Sequence, residues 1–157
     1  MRNLLKCVPL VLALTACKDP SLTDVIVDDA PNLPVVATWN STLAPVGPTS
    51  QAGGTLKLDE TGSYMLLDLT AQGLHPDSTY SWHLFFGTCA SRIARMGVNA
   101  NPSAYRLFRA DANGAGTSEA TVMGRLKADS TYSLHVFIAR TQPTDTTFYA
   151  CGNLQRN

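Results

Sequence analysis

Leu74-His-Pro-Asp-Ser-Thr-Tyr-Ser-Trp-His-Leu-Phe-Phe86 returns 52 residues later as Leu126-Lys-Ala-Asp-Ser-Thr-Tyr-Ser-Leu-His-Val-Phe-Ile138, with eight of thirteen positions identical. Each copy opens on turn-forming residues and runs into aromatic and aliphatic residues suited to a half-buried strand. An Asp-x-x-Gly segment precedes each copy at the same offset, Asp59-Glu-Thr-Gly62 and Asp111-Ala-Asn-Gly114. Both read as turns, and Gly62 is expected at positive φ. Each half is therefore strand, turn, strand, corner, strand. Two repeats are too few for a solenoid, so the halves must bury their apolar faces against each other in one body.

The same patterning extends outward. Alternating runs at 35–43, 54–58, 63–70, 105–110, 120–123, 131–139 and 149–154 are separated by turn residues, and Leu56 and Leu58 fall on one strand face. Only Ser91 to Ser103 reads equally as loop or helical turn. The expected fold is an all-β, antiparallel Greek-key β-sandwich or flattened barrel of about eight strands with an internal two-fold repeat. Tyr80 and Tyr132, each after Asp-Ser-Thr, resemble tyrosine corners, in which the hydroxyl bonds a backbone group a few residues upstream.

Net charge is zero and charged residues are only 15% of 157, which leaves no basic face for nucleic acid. The chain opens with Arg2 and Lys6, an apolar run Val8–Leu14 far too short to span a bilayer, and Thr15-Ala16-Cys17, the layout of a secretory signal. Leu14-Thr15-Ala16-Cys17 resembles the lipobox of bacterial lipoproteins. That resemblance implies a signal peptide over 1–16, a lipidated Cys17, and a membrane partner reached through the lipid. Lys18 after the cysteine favours the outer membrane, facing the periplasm or the cell surface. Residues 17–34 read as the lipidated cysteine and a tether, and the 17 residues 18–34, with four Asp and three Pro, reach about 55–60 Å when stretched. The β domain then covers 35–157.

With Cys7 leaving with the signal and Cys17 lipidated, Cys89 and Cys151 remain as an even pair in an exported domain, and a disulfide between them is expected. A thiolate metal site is the rival, weakened by the lack of any CxxC spacing.

Three stretches together resemble the copper/zinc superoxide dismutase-like fold. They are Thr55–Leu58 continuing through Leu66–Leu74 into His83-Leu-Phe-Phe-Gly-Thr-Cys89; Ala110-Asp-Ala-Asn-Gly114; and Leu134-His-Val136 with Ala150-Cys-Gly-Asn-Leu154. The match spans about 35–154 with gaps. In that family the cysteines at these two places are disulfide-bonded. Residue by residue, His83 and His135 fall on copper ligands, whereas the second histidine of the family's His-x-His falls on Phe85. No histidine stands between Ser91 and Ala104, the zinc aspartate falls near Ala104, and the arginine before the last cysteine falls on Phe148. Dismutase activity is not expected.

Three functions follow. The first is a non-catalytic envelope module without a cofactor, binding or supporting a protein or glycan. The second is a copper-binding or delivery protein using His83, His135 and a thioether from Met96 or Met123. The third is a fibronectin-like adhesion or carbohydrate-binding module, with Trp39, Trp82 and Phe86 as stacking aromatics. The histidines read more simply as strand residues filling the sandwich, their nitrogens bonded to backbone. Asp59 and Glu60 read as solvated turn carboxylates. Arg92, Arg95, Arg106 and Arg109 form a loose basic group with a solvated rim as its simplest role. His75 reads as exposed and unrelated.

Overall fold

The computed structural model describes residues 33–91, 98, 102–138 and 148–157. Nine strands follow in order: β1 Ala37–Pro45, β2 Gly53–Glu60, β3 Tyr64–Gln72, β4 Thr79–Phe86, β5 Phe108–Arg109, β6 Gly116–Met123, β7 Tyr132–Ile138, β8 Phe148–Asn153 and β9 Gln155–Arg156. Pro102–Ala104 forms a single 3-10 turn. Every pairing is antiparallel, and the strands run β5-β4-β7-β8-β1-β2-β3-β6, with β9 added beside β1. One layer holds β1-β2-β3-β6 and the other β5-β4-β7-β8. β1 belongs to both: Ala37–Leu43 pair with β2, and Ala44 and Pro45 pair with β8. The result is the all-β, nearly closed flattened barrel that the repeat leads one to expect. Non-consecutive neighbours (β3 with β6, β4 with β7) supply the Greek-key crossing.

Alternation makes the core. Met65, Leu67, Leu69 and Ala71 of β3 point inward and are at most 2% exposed, while Asp68 and Thr70 between them face solvent. Leu56 and Leu58 do the same from β2. Tyr80, Trp82 and Leu84 of β4 and Leu134 and Val136 of β7 meet them from the opposite layer. Each such aliphatic side chain contributes about 1.5–3 kcal/mol of burial free energy.

The two corners are built alike. Tyr80 Oη accepts the His75 N–H at 2.9 Å and Tyr132 Oη accepts the Lys127 N–H at 2.8 Å, so each tyrosine reaches back five residues. These corners carry the chain from β3 to β4 and from β6 to β7, that is, from one layer to the other. Just before them, Gly73 and Gly124 adopt positive φ (69° and 115°). Leu74 directly follows the first glycine, whereas Arg125 intervenes before Leu126 in the second half.

Each corner is fastened to the Asp-x-x-Gly segment of the other half. The Leu74 N–H donates to Gly114 O at 3.0 Å. The Leu126 N–H donates to Glu60 Oε1 at 2.8 Å. Glu60 corrects the sequence reading. It is not a solvated turn residue but the last residue of β2, 2% exposed. Its Oε1 also accepts from Trp39 Nε1 at 3.1 Å, and Arg125 Nε lies 3.9 Å from Oε2. A buried carboxylate is tolerable because donors converge on it. Asp59 likewise lies inside the strand, bonded to Lys57 Nζ (2.6 Å) and Thr38 Oγ1 (2.7 Å). Its partial burial works to raise the carboxyl pKa, but these hydrogen bonds outweigh it and hold the pKa below the usual value.

Gly62 also departs from expectation, since it does not adopt positive φ. Thr61 closes that link instead. Its N–H and Oγ1 both donate to Tyr64 O (2.8 and 2.9 Å), and Oγ1 accepts from Tyr64 N (3.2 Å). Gly114 does adopt positive φ, 75°, in the Asp111 turn, where Asp111 Oδ1 accepts from the Asn113 and Ala115 N–H groups at 2.8 Å.

Candidate functional site

His83 and His135 come together, though not inside the sandwich. They are direct Cα partners across β4 and β7. The inward positions of these strands are taken by Tyr80, Trp82, Leu84, Tyr132, Leu134 and Val136, so both histidines lie on the outer face of this layer. Strand parity decides this, since residues two apart share a face. The expectation of core histidines satisfied by backbone is thereby corrected.

Their rings turn to aromatic neighbours. His83 stacks on Phe137 (centroids 5.5 Å, planes 18° apart) and lies 4.7 Å from Tyr105. His135 is met edge-on by Phe85 at 5.0 Å and by Phe148 at 4.8 Å. Burial pushes both imidazoles below the usual histidine pKa, because the charged form loses its hydration.

The second contact of His135 is with sulfur. β7 pairs with β8 so that His135 opposes Cys151. His135 Nε2 lies 3.4 Å from Cys151 Sγ and 3.1 Å from Ser133 Oγ. Cys151 and Cys89 are joined as expected, with an S–S distance of 1.96 Å, tying the loop after β4 to β8. The loop is seated by the Cys89 N–H, which donates to Asn153 Oδ1 at 2.8 Å. The ligand atoms of Cys89, His135 and Cys151 lie within 4.8 Å of one another, and His83 is not in that group. Among the described residues His83 joins no group of three or more such ligand atoms. Met123, offered as a thioether ligand, stands 73% exposed on β6 in the opposite layer. Met96 lies outside the described residues, as do Cys17, Arg92 and Arg95.

The stacking aromatics separate as well. Trp39 and Trp82 are core residues, 4% and 0% exposed, and Trp82 Nε1 is held by Arg106 O and Ser118 Oγ (2.9 and 3.0 Å). Only Phe86 reaches the surface. Arg109 pairs with Asp77 at 3.0 Å, both exposed, and Arg106 is exposed. His75 is exposed, its ring 5.6 Å from Tyr149.

A surface that sequence reasoning missed lies on the outside of the other layer. An open hollow of about 560 Å³ is lined by Asn40, Ser41, Thr42, Thr55, Leu56, Lys57, Asp68 and Thr70 of this layer, with Gln155 of β9 and Asn153 of β8 at its edge. Register explains it. Gln155, Asn40, Lys57, Asp68 and Glu119 form one row across five strands, each the partner of the next. Thr42, Thr55, Thr70 and Thr117 form the adjacent row. No sequence signal links four threonines so far apart until the pairing is known. Only the outward parity of each was legible.

Fold and surface together define a disulfide-clasped Greek-key β-sandwich with one polar outer face and one aromatic, histidine-bearing outer face. The chain matches no protein-family model and no curated protein.

Proposed function

We propose that this chain is a non-catalytic cell-envelope module, held at the membrane by lipid on Cys17 and carried on the 17–34 tether, whose β-sandwich binds a hydroxyl-rich envelope polymer. The observation that supports the binding reading is the pair of polar rows on β9-β1-β2-β3-β6. They present hydroxyls, amides and single charges at the interstrand spacing of about 4.8 Å. Such a lattice offers both donors and acceptors to a glycan chain, with Asn40 and Gln155 able to do both at once. The hollow contains no aromatic platform. Recognition on this reading proceeds by hydrogen bonding, with modest affinity per contact, since each net bond is worth about 0.5–1.5 kcal/mol. The anchor is supported by the sequence Leu14–Cys17 and by the basic residues and apolar run that precede it.

The test is co-sedimentation of the protein with insoluble peptidoglycan and with envelope polysaccharide. The variants Asn40→Ala, Thr55→Ala and Thr70→Ala are compared with Thr79→Ala, exposed on the other layer. Retention lost in the first three and kept in the fourth is expected. No retention by the unaltered protein rejects the glycan reading. For the anchor, labelled fatty acid should enter the chain and fail to enter Cys17→Ser.

A further inference from the structure

The cluster Cys89, Cys151 and His135 has a chemistry that the binding reading does not use. The two sulfurs are unequal. Cys151 sits in β8 at 5% exposure, whereas Cys89 is only partly buried, in the short turn Thr88–Ser91. That turn is closed by Thr88 N–H to Ser91 Oγ (2.7 Å) and Ser91 N–H to Thr88 O (3.0 Å). His135 lies on the buried sulfur's side. Its Nδ1 is buried with no hydrogen-bond partner among the described residues, and its Nε2 faces Ser133 Oγ and Cys151 Sγ. A buried N–H without an acceptor costs more, and is rarer, than a buried acceptor without a donor. The proton of the neutral imidazole is therefore assigned to Nε2, where it points at an oxygen and a sulfur.

We propose that Cys89–Cys151 is a thiol–disulfide exchange site for dithiols, in which Cys89 is the sulfur attacked and Cys151 the sulfur that leaves, its thiolate received by the His135 Nε2–H. A thiolate of the incoming dithiol attacks Cys89 Sγ. A new S–S bond forms there, the Cys89–Cys151 bond breaks, and its electron pair goes to Cys151 Sγ. The second thiolate of the dithiol then displaces Cys89. The dithiol is oxidised by two electrons to a disulfide, and the protein pair takes those two electrons. The two protons released by the dithiol balance the two taken up by Cys89 and Cys151 through solvent. Access selects the entry sulfur, and a hydrogen-bond donor at the departing sulfur makes it the better leaving group. Phe85 and Phe148, packed on both sides of the His135 ring, hold it in position for this. Asn153, bonded to the Cys89 N–H, keeps the turn in place for resealing.

Two measurements on the folded protein test this, with any thiol of Cys7 or Cys17 that processing leaves free first blocked by iodoacetamide. In the first, glutathione is the monothiol probe, the reaction is quenched by alkylation, and the adducts are located by peptide mass. At least tenfold more adduct on Cys89 than on Cys151 is expected. Equal partition, excess on Cys151, or no adduct without denaturant overturns the proposal. In the second, the rate of reduction by dithiothreitol is compared between the unaltered protein and His135→Leu. A drop of about tenfold or more is expected, and an unchanged rate overturns the proposal. Should His135→Leu fail to fold, the adduct partition in the unaltered protein decides alone.

Discussion

His83 and His135, 52 residues apart and equivalent in the internal repeat, face each other as Cα partners at the middle of the β4–β7 pair. Equivalent residues opposed in an antiparallel pair mark a local two-fold axis. The second layer obeys the same symmetry, because β3 and β6, the strands preceding each corner, also pair antiparallel. There Asp68 opposes Glu119, an offset of 51, matching that of Gly73 and Gly124. The difference of one residue is Arg125, inserted between Gly124 and Leu126. The corner of each half is tied to the Asp-x-x-Gly segment of the other half, by Gly114 O in one case and the Glu60 carboxylate in the other.

The Glu60 tie is the first place to test that account. Glu60→Ala leaves Trp39 Nε1 and the Leu126 N–H buried without an acceptor. It should lower unfolding free energy by about 2–4 kcal/mol. Glu60→Gln keeps one acceptor oxygen and should cost less. Urea unfolding followed by tryptophan fluorescence measures both. Equal stability of Glu60→Ala and the unaltered protein would remove this residue from the account.

The tyrosine corners should behave as a matched pair. Tyr80→Phe and Tyr132→Phe each delete one hydroxyl that accepts from a backbone N–H, while the ring stays buried. Each should cost about 1 kcal/mol in the same urea experiment. A cost confined to one of them would show that the corners do not do equal work.

The glycines of the two Asp-x-x-Gly segments should respond oppositely to alanine. At Gly114 a Cβ would meet Leu74 O at 2.3 Å, and φ is 75°. Gly114→Ala should therefore lose about 2 kcal/mol or more through strain and the lost tie to Leu74. At Gly62 a Cβ meets nothing within 4 Å and φ is not positive. Gly62→Ala should leave the melting temperature nearly unchanged or slightly raised. Similar losses at both sites would contradict this difference.

Histidine burial sets a pH dependence. His83 and His135 both have folded pKa values below the ordinary histidine value, with loss of hydration as the cause. Between the folded and unfolded pKa values the unfolded chain binds more protons. Stability must therefore be full above the unfolded value of about 6.5 and fall as pH drops through and below it. Thermal melts from pH 8 to pH 5 should show a falling midpoint. The slope should be smaller in His83→Gln, which removes one of the two groups. A slope that is unchanged in that variant would exclude His83 as a source.

The all-β class, the strand alternation, the paired corners and the Cys89–Cys151 clasp were legible in the chain because each is a local or arithmetical property. Parity places Leu56 and Leu58 on one strand face whatever their neighbours, and the repeated Asp-Ser-Thr-Tyr carries its own backbone hydrogen bond within five residues. Burial of Glu60 was not legible, since it depends on Trp39 and Leu126 arriving from 21 and 66 residues away. Nor was the face on which His83 and His135 lie. One-residue parity was readable along each strand, but which side faces the second layer follows only from how β4 and β7 pack over β2 and β3. Register alone brought Cys151 opposite His135 and aligned Thr42, Thr55, Thr70 and Thr117 into one row. Hydrogen bonding between strands is set by the closure of the whole barrel. The sequence therefore determined the strands and their corners, while the tertiary structure decided which side chains became neighbours.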